Sequence, residues 1–210
     1  MHSNLIIHLI EALNGELPGY LAHQKMLPPG RTLKAGGQDF STVKMSSVLV
    51  LLFPDGDRIF TCLTKRPSTM KHHPGQISFP GGKVEEDDPS AEMTALREAQ
   101  EEVGIDPSKI QVIGQLSDLY VEVSRFTIQP FIAWTDIKPD FKIEAGEVEE
   151  LILFPVSDFI FEESFPETEI QTSIGLLRVK YFPCKEGKIW GATAMILAEL
   201  FEILRNQKAQ

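Results

Sequence analysis

The chain has 210 residues, 42% of them hydrophobic and 24% charged, with a formal net charge of −10. That length can bury one good core, and the acidic balance argues against nucleic acid or an anionic membrane as a general partner, because phosphates would repel it. The two cysteines, Cys62 and Cys184, lie far apart in sequence. They indicate neither a disulfide framework nor a zinc site and are expected as buried, reduced thiols of a cytoplasmic protein. No run of about 18 apolar residues occurs, so no membrane span is expected. The first eight residues lack the basic region and apolar core of a signal peptide, and the last four do not form a peroxisomal Ser-Lys-Leu-like tail.

Residues 3–13 read as a helix, with Ser3 or Asn4 as its cap and Leu5, Ile6, Leu9, Ile10 and Leu13 at helical spacing. A second short helix is expected over 17–26, ending before Pro28-Pro29, and a Pro- and Gly-rich connector over 28–42. An apolar strand follows at 43–53, a turn at Pro54-Asp55-Gly56-Asp57, and a returning strand at 58–64. A short strand is expected at 77–79. Asp88-Pro89 reads as a helix start, with Asp88 as cap and the proline in the first turn. That helix runs to Val103 and stops at Gly104. Strands are expected at 110–122, 126–135 and 148–154, a hairpin at 168–182, and a closing amphipathic helix at 190–206 carrying Met195, Leu197, Leu200, Phe201 and Leu204. Strands, a central helix, more strands and a final helix imply a mixed sheet between helices, an α/β/α sandwich. Residues 1–40 form an N-terminal helical extension to a domain at 41–210.

Charge is segregated along the chain. From Arg58 to Val84 there is no acid, but there are Arg58, Lys65, Arg66, Lys71, His72, His73 and Lys83. From 85 to 102 the chain holds Glu85, Glu86, Asp87, Asp88, Glu92, Glu98, Glu101 and Glu102 against Arg97 alone. On a helix, Glu98, Glu101 and Glu102 occupy i, i+3 and i+4 and project from one side. Their mutual repulsion costs a few tenths of a kcal/mol per pair, and Glu101 and Glu102 sit at the helix end where the dipole disfavours anions. A bound divalent cation reverses both penalties, and carboxylate oxygens suit Mg²⁺ or Mn²⁺. Two solvated charged faces are the alternative reading. Ala95, Ala99 and Val103 form an apolar stripe that should face the sheet.

Gly81-Gly82, Asp88 and Arg97-Glu98-Ala99-Gln100-Glu101-Glu102-Val103-Gly104-Ile105 resemble the Nudix box, G-x5-E-x7-R-E-U-x-E-E-x-G-U, where U is a bulky aliphatic residue. Asp88 stands for the first Glu, and eight residues rather than seven separate it from Arg97. Upstream, Leu63-Thr64-Lys65-Arg66, Lys71, Gly75 and Phe79-Pro80-Gly81-Gly82 resemble the extra motif of the coenzyme A diphosphatase branch. Pro67 takes the place of Ser or Ala there, and Lys71 that of Arg, which keeps charge but loses bidentate geometry.

The resemblance implies a Nudix fold and metal-dependent hydrolysis of coenzyme A or its derivatives to 3′,5′-ADP and 4′-phosphopantetheine. It implies Mg²⁺ or Mn²⁺ held by Glu98, Glu101 and Glu102 with a carbonyl near Gly81 or Gly82. Arg97 is expected to orient a carboxylate of the box. Gly81 and Gly82 bring the backbone close to the phosphates. Arg66 and Lys71, with His72 or His73, are expected to grip a phosphate such as the 3′-phosphate of coenzyme A; exposed loop cations are the alternative. The general base is open between Glu98 and a later acid among Glu144, Glu147, Glu149 and Glu150, with Glu147 favoured. Phe79 is expected in the core, Met70 in local packing, and Cys62, which has no paired base, is not a nucleophile. A small nucleotide-type substrate is the expected partner, and by family analogy alone a homodimer is open. Two rival readings remain. One is a different Nudix substrate: a nucleoside triphosphate, ADP-ribose or a dinucleotide. The other is a non-catalytic Nudix domain used as a sensor or interaction module, which loss of the metal carboxylates would favour; here all three are present.

Overall fold

A computed structural model describes residues 2–33, 43–70, 73–172 and 175–206. Lys71, His72 and most of the expected connector lie outside the described residues. The central strand is β1 (Lys44–Asp55), an apolar run buried on both faces. It pairs antiparallel with β2 (Arg58–Lys65) and parallel with β7 (Phe126–Trp134). β2 carries β3 (Ile77–Ser78) and β8 (Glu150–Phe154), and β7 carries β5 (Gln111–Gln115) and β6 (Leu119–Val121). β4 (Gly81–Lys83) closes onto the start of β1, with Ser47 opposite Gly82. One parallel and several antiparallel ladders make the expected mixed sheet.

Two cores flank it, set by alternation along β1. Leu49, Leu51 and Phe53 pack on one face with Ala95, Ala99 and Val103 of α3 (Ala91–Val103), so the apolar stripe of that helix does meet the sheet. Val50 and Leu52 face the opposite side, where α5 (Gly191–Asn206) lies with Leu9 of α1 (His2–Leu13) and Met26. The helix-sheet-helix order is therefore the expected α/β/α sandwich, with the N-terminal helices beside α5.

Several boundaries differ from the sequence expectation. α1 begins at His2, so Ser3 and Asn4 fall inside its first turn rather than capping it. The helix expected at 17–26 is a short α2 (Gly19–His23) followed by a 3₁₀ turn, Gln24–Met26. β1 runs through Pro54 to pair Asp55 with Arg58, which tightens the turn to Gly56-Asp57. The strand expected at 110–122 is divided into β5 and β6, with a register shift beside Gly114. β4, the short helix α4 (Val156–Phe159) and a second hairpin, β11 (Phe182–Cys184) with β12 (Gly187–Ile189), were not foreseen. The expected hairpin is β9 (Glu167–Thr172) with β10 (Gly175–Lys180).

α5 is buried almost all round from Thr193 to Leu204, including a carboxylate, Glu199, at 0% exposure. Such a group survives burial only when hydrogen-bonded. Glu199 accepts from His23 Nε2 at 2.9 Å, Ser117 Oγ at 2.6 Å and the Gly19 N–H at 3.1 Å. Burial pushes its pKa up, but the bonds from His23 and Ser117 outweigh this and leave it below the usual 4.5. The network ties the N-terminal helices to α5 and to the β5–β6 loop. Because the folded value is depressed, its contribution is full above pH 4.5 and is lost as pH falls through the lowered value. His23→Ala is expected to cost about 3 kcal/mol by removing the one ion-pair partner of the buried carboxylate among the described residues, a fall in Tm of roughly 6–12 °C. Denaturant unfolding of Glu199→Gln between pH 3 and 7 should lack the acid-dependent step that this site gives the unaltered protein; an identical pH profile would contradict the assignment.

Candidate active site

The site forms where the last turn of α3 meets the β3–β4 turn and the loop after β2. Ser90, not Asp88, caps α3, its Oγ accepting from the Met93 N–H at 3.2 Å. Asp88 lies two residues further out and has a different task. It takes the guanidinium of Arg97 in a two-point grip, Nε to Oδ1 and Nη2 to Oδ2, both at 3.0 Å. It also accepts from Thr94 Oγ1 at 2.8 Å and from the Glu85 N–H at 2.9 Å. These bonds, Arg97 foremost, hold the Asp88 carboxyl well below the usual carboxylate range and raise the Arg97 guanidinium further above its own. Arg97 in turn reaches Glu98 at 3.0 Å and Glu101 at 3.1 Å. One cation thus gathers Asp88, Glu98 and Glu101, and Asp88 reaches Arg97 across the longer spacing.

Glu98, Glu101 and Glu102 of α3 occupy different environments. Glu101 is exposed, Glu98 is half-buried, and Glu102 is 4% exposed. Burial pushes the Glu102 carboxyl up to about 8; the Gly81 N–H and the Arg66 charge oppose this, while Glu98 and Glu147 add to it. The Gly81 N–H donates to Glu102 Oε2 at 3.4 Å. Burial also raises Glu98, against the pull of Arg97.

The glycines fix the approach. A Cβ on Gly81 would overlap the Ser47 carbonyl and Val48, and its φ of +154° is one that side chains rarely adopt. A Cβ on Gly82 would overlap the Glu98 carboxylate. Phe79, at 2% exposure, anchors the turn in the core, and the Leu49 N–H donates to the Pro80 carbonyl at 2.9 Å.

Glu147 arrives from the β7–β8 loop. That loop is strapped to the end of α3 by the Lys142 N–H on the Val103 carbonyl at 2.9 Å and the Glu144 N–H on the Glu102 carbonyl at 3.0 Å. Glu147 is exposed, and its charge bears on both Glu98 and Glu102. Glu149 turns the other way, to Lys65 at 2.9 Å. Arg66 lies within electrostatic reach of Glu102, and its Nε is buried without a hydrogen-bond partner among the described residues. His73 bonds Gln76. The predicted contribution of Lys71 falls outside the described residues. Burial drives the Cys62 thiol up to about 12, which leaves it inert as a nucleophile. The strap from Lys142 and Glu144 escaped the sequence reading because it uses backbone groups, which carry no residue signature.

The donor chemistry fits a hard divalent cation: of the carboxylates at 98, 101 and 102, Glu98 lies against Gly82 and Glu102 against the Gly81 N–H. As they stand, no three such side chains among the described residues are gathered tightly enough to hold an ion. Arg97 draws Glu98 and Glu101 to one side while Glu102 turns to Gly81.

The acids of the last turns of a helix packed on a mixed sheet, with a glycine turn against them and Arg66 in electrostatic reach, define a site for a cation and an anionic ligand. The chain belongs to the Nudix family: the NUDIX domain model matches residues 43–172. A mitochondrial Nudix hydrolase of Arabidopsis thaliana is 37% identical over 162 residues, 73% of this chain and 56% of its own length. A peroxisomal coenzyme A diphosphatase of Mus musculus is 34% identical over 127 residues, 60% of this chain and 53% of its own. The chain thus spans little more than half the length of these two relatives. Among solved structures, a MutT/nudix family protein from Enterococcus faecalis matches with a TM-score of 0.50 at 15% identity, covering 81% of this chain and 65% of that one; this likeness concerns the fold alone. Nudix hydrolases act on pyrophosphate bonds and generally depend on divalent metals.

The two glycines separate fold from site. Gly81→Ala meets backbone and should lower Tm by roughly 5 °C or more. Gly82→Ala meets only the side-chain carboxylate of Glu98 and no backbone, so Tm should hold while Glu98 is displaced and Mg²⁺-induced stabilisation shrinks. Thermal melts of both variants with and without Mg²⁺ check this, and equal loss of fold in both would contradict it.

Proposed function

We propose that this chain is a divalent-metal-dependent hydrolase that cleaves the diphosphate of coenzyme A or a derivative, releasing 3′,5′-ADP and 4′-phosphopantetheine. The observation that carries the reading is Glu102, buried between the Gly81 N–H and Arg66 with Glu98 and Glu147 beside it. A group so costly to ionise there gains a purpose if a cation and an anionic substrate share the site. The name of the mouse relative and the Leu63–Gly82 motif support coenzyme A as the substrate class.

In this reading Glu98, Glu101, Glu102 and the Gly82 carbonyl would hold Mg²⁺ or Mn²⁺. When bound, the ion supplies charge neutralisation of the diphosphate and an acidified water. The chain's own residues supply the rest. Asp88 and Arg97 orient Glu98 and Glu101. Arg66, beside Glu102, is assigned to the scissile diphosphate rather than to a remote phosphate, and Glu147, exposed and facing the same acids, is assigned to accept the proton of the attacking water. Lys71 and His73 remain the candidates for the 3′-phosphate.

Chromatographic product analysis tests the proposal. With Mg²⁺, coenzyme A is expected to yield 3′,5′-ADP, and Glu101→Gln or Glu102→Gln should lower the rate about 100-fold or more, since the metal's charge stabilisation is worth several kcal/mol. Cleavage of ADP-ribose, a dinucleotide or a nucleoside triphosphate instead would sink the coenzyme A assignment. No cleavage of any of them would point to a sensing module.

A further inference from the structure

The loop after β2 carries Arg66, and its first turn is bonded to an acid from another part of the chain. Arg66 precedes Pro67, which biases its backbone to an extended form. Its own backbone is held across the loop mouth, the N–H donating to the Gln76 carbonyl at 2.9 Å and the carbonyl accepting from the Gly75 N–H at 3.1 Å. The residues on either side are held by Glu149. Its Oε1 pairs with Lys65 Nζ at 2.9 Å, its Oε2 accepts from the Ser68 N–H at 3.1 Å, and its N–H donates to the Lys65 carbonyl at 2.8 Å. Among the described residues, Arg66 itself has no ion pair, and its charge bears on Glu102. Glu149, joined by Glu150 at 3.8 Å from Lys65, therefore occupies the neighbouring lysine and, by itself, the turn beyond it, while the guanidinium has no ion pair among the described residues and its charge bears on Glu102.

We infer that Glu149 is a positioning residue for Arg66: it touches no substrate, but it fixes the turn that aims the guanidinium at the diphosphate. The inference rests on the assignment of Arg66 to that diphosphate. It separates Glu149 from Glu147, two residues earlier in the same acidic run. Glu147 bears on Glu98 and Glu102, whereas Glu149 bonds the basic loop. The ion pair with Lys65 is partly exposed and adds little to global stability, so the effect of losing it should be local.

The test uses the full chain and its Glu149→Ala, Glu149→Gln, Arg66→Ala and double Glu149→Ala/Arg66→Ala variants. Amide hydrogen exchange reads the loop, and calorimetric binding of inorganic pyrophosphate with Mg²⁺ reads the grip. Glu149→Ala should speed exchange at Ser68, Arg66 and Gly75 while Tm moves by less than about 3 °C. It should weaken pyrophosphate about tenfold, and the double variant should bind no worse than Arg66→Ala alone. Glu149→Gln, which can still accept from Ser68, should recover part of the loss. On whichever substrate the unaltered protein turns over, Glu149→Ala should raise KM about tenfold and leave kcat within about threefold. Additive losses in the double variant, faster exchange with unchanged pyrophosphate binding, or no pyrophosphate binding by the unaltered protein would each overturn the inference. Exchange and binding need no turnover, so a failure of coenzyme A as substrate is seen separately.

Discussion

At the end of α3 a carboxyl group sits almost wholly out of water, and nothing in the packing of the two cores requires it there. Burial of Glu102 raises its pKa to about 8, so the proton is held where an ordinary surface glutamate would have lost it. Leucine at this place would pack without that penalty. The surrounding elements are arranged around the group. The Gly81 N–H points at it, and Arg66 sits close enough to favour its ionised form. The β7–β8 loop is tied to its own backbone carbonyl, which carries Glu147 into the same field. Gly81 can approach because a side chain there would strike Ser47 and Val48.

The second constraint is the grip of Asp88 on Arg97. With both guanidinium edges engaged, Arg97 cannot swing away, and its remaining nitrogen fixes Glu98 and Glu101 on one side of the helix. Like charges that would repel on a free helix are thereby held at the mouth of the site. Opposite them, Glu149 ties down the loop that bears Arg66. Arg97 and Arg66 are thus each held by contacts outside the metal carboxylates, Arg97 through Asp88 and the turn after Arg66 through Glu149.

Much of this could be read in the sequence because it is local. The i, i+3, i+4 spacing of Glu98, Glu101 and Glu102, the apolar stripe of Ala95, Ala99 and Val103, and the left-handed stop at Gly104 are properties of one helix. The strand at β1 announced itself as a continuous apolar run. What escaped depends on distant partners. Asp88 before a proline looks like a cap, but Ser90 two residues later was free to cap, and Arg97 offers Asp88 a stronger bond. Glu199 reads as the polar side of an amphipathic helix until Gly19, His23 and Ser117 are folded against it. β4 consists of two glycines and a lysine, with no strand propensity of its own, and exists because β1 pairs with it. Glu149 differs from Glu147 only in which way the strap turns it.

The most direct test of this account is a carbon-detected NMR titration of the Glu102 side-chain carboxyl, first in metal-free protein and then with saturating Mg²⁺. The expected midpoint is near 8 without metal, falling by several units when the cation favours the ionised form. A midpoint near 4.5 in the metal-free protein would show that the group is solvated and the site is not built as described. A raised midpoint that ignores Mg²⁺ would mean that the buried acid serves the fold and not a metal.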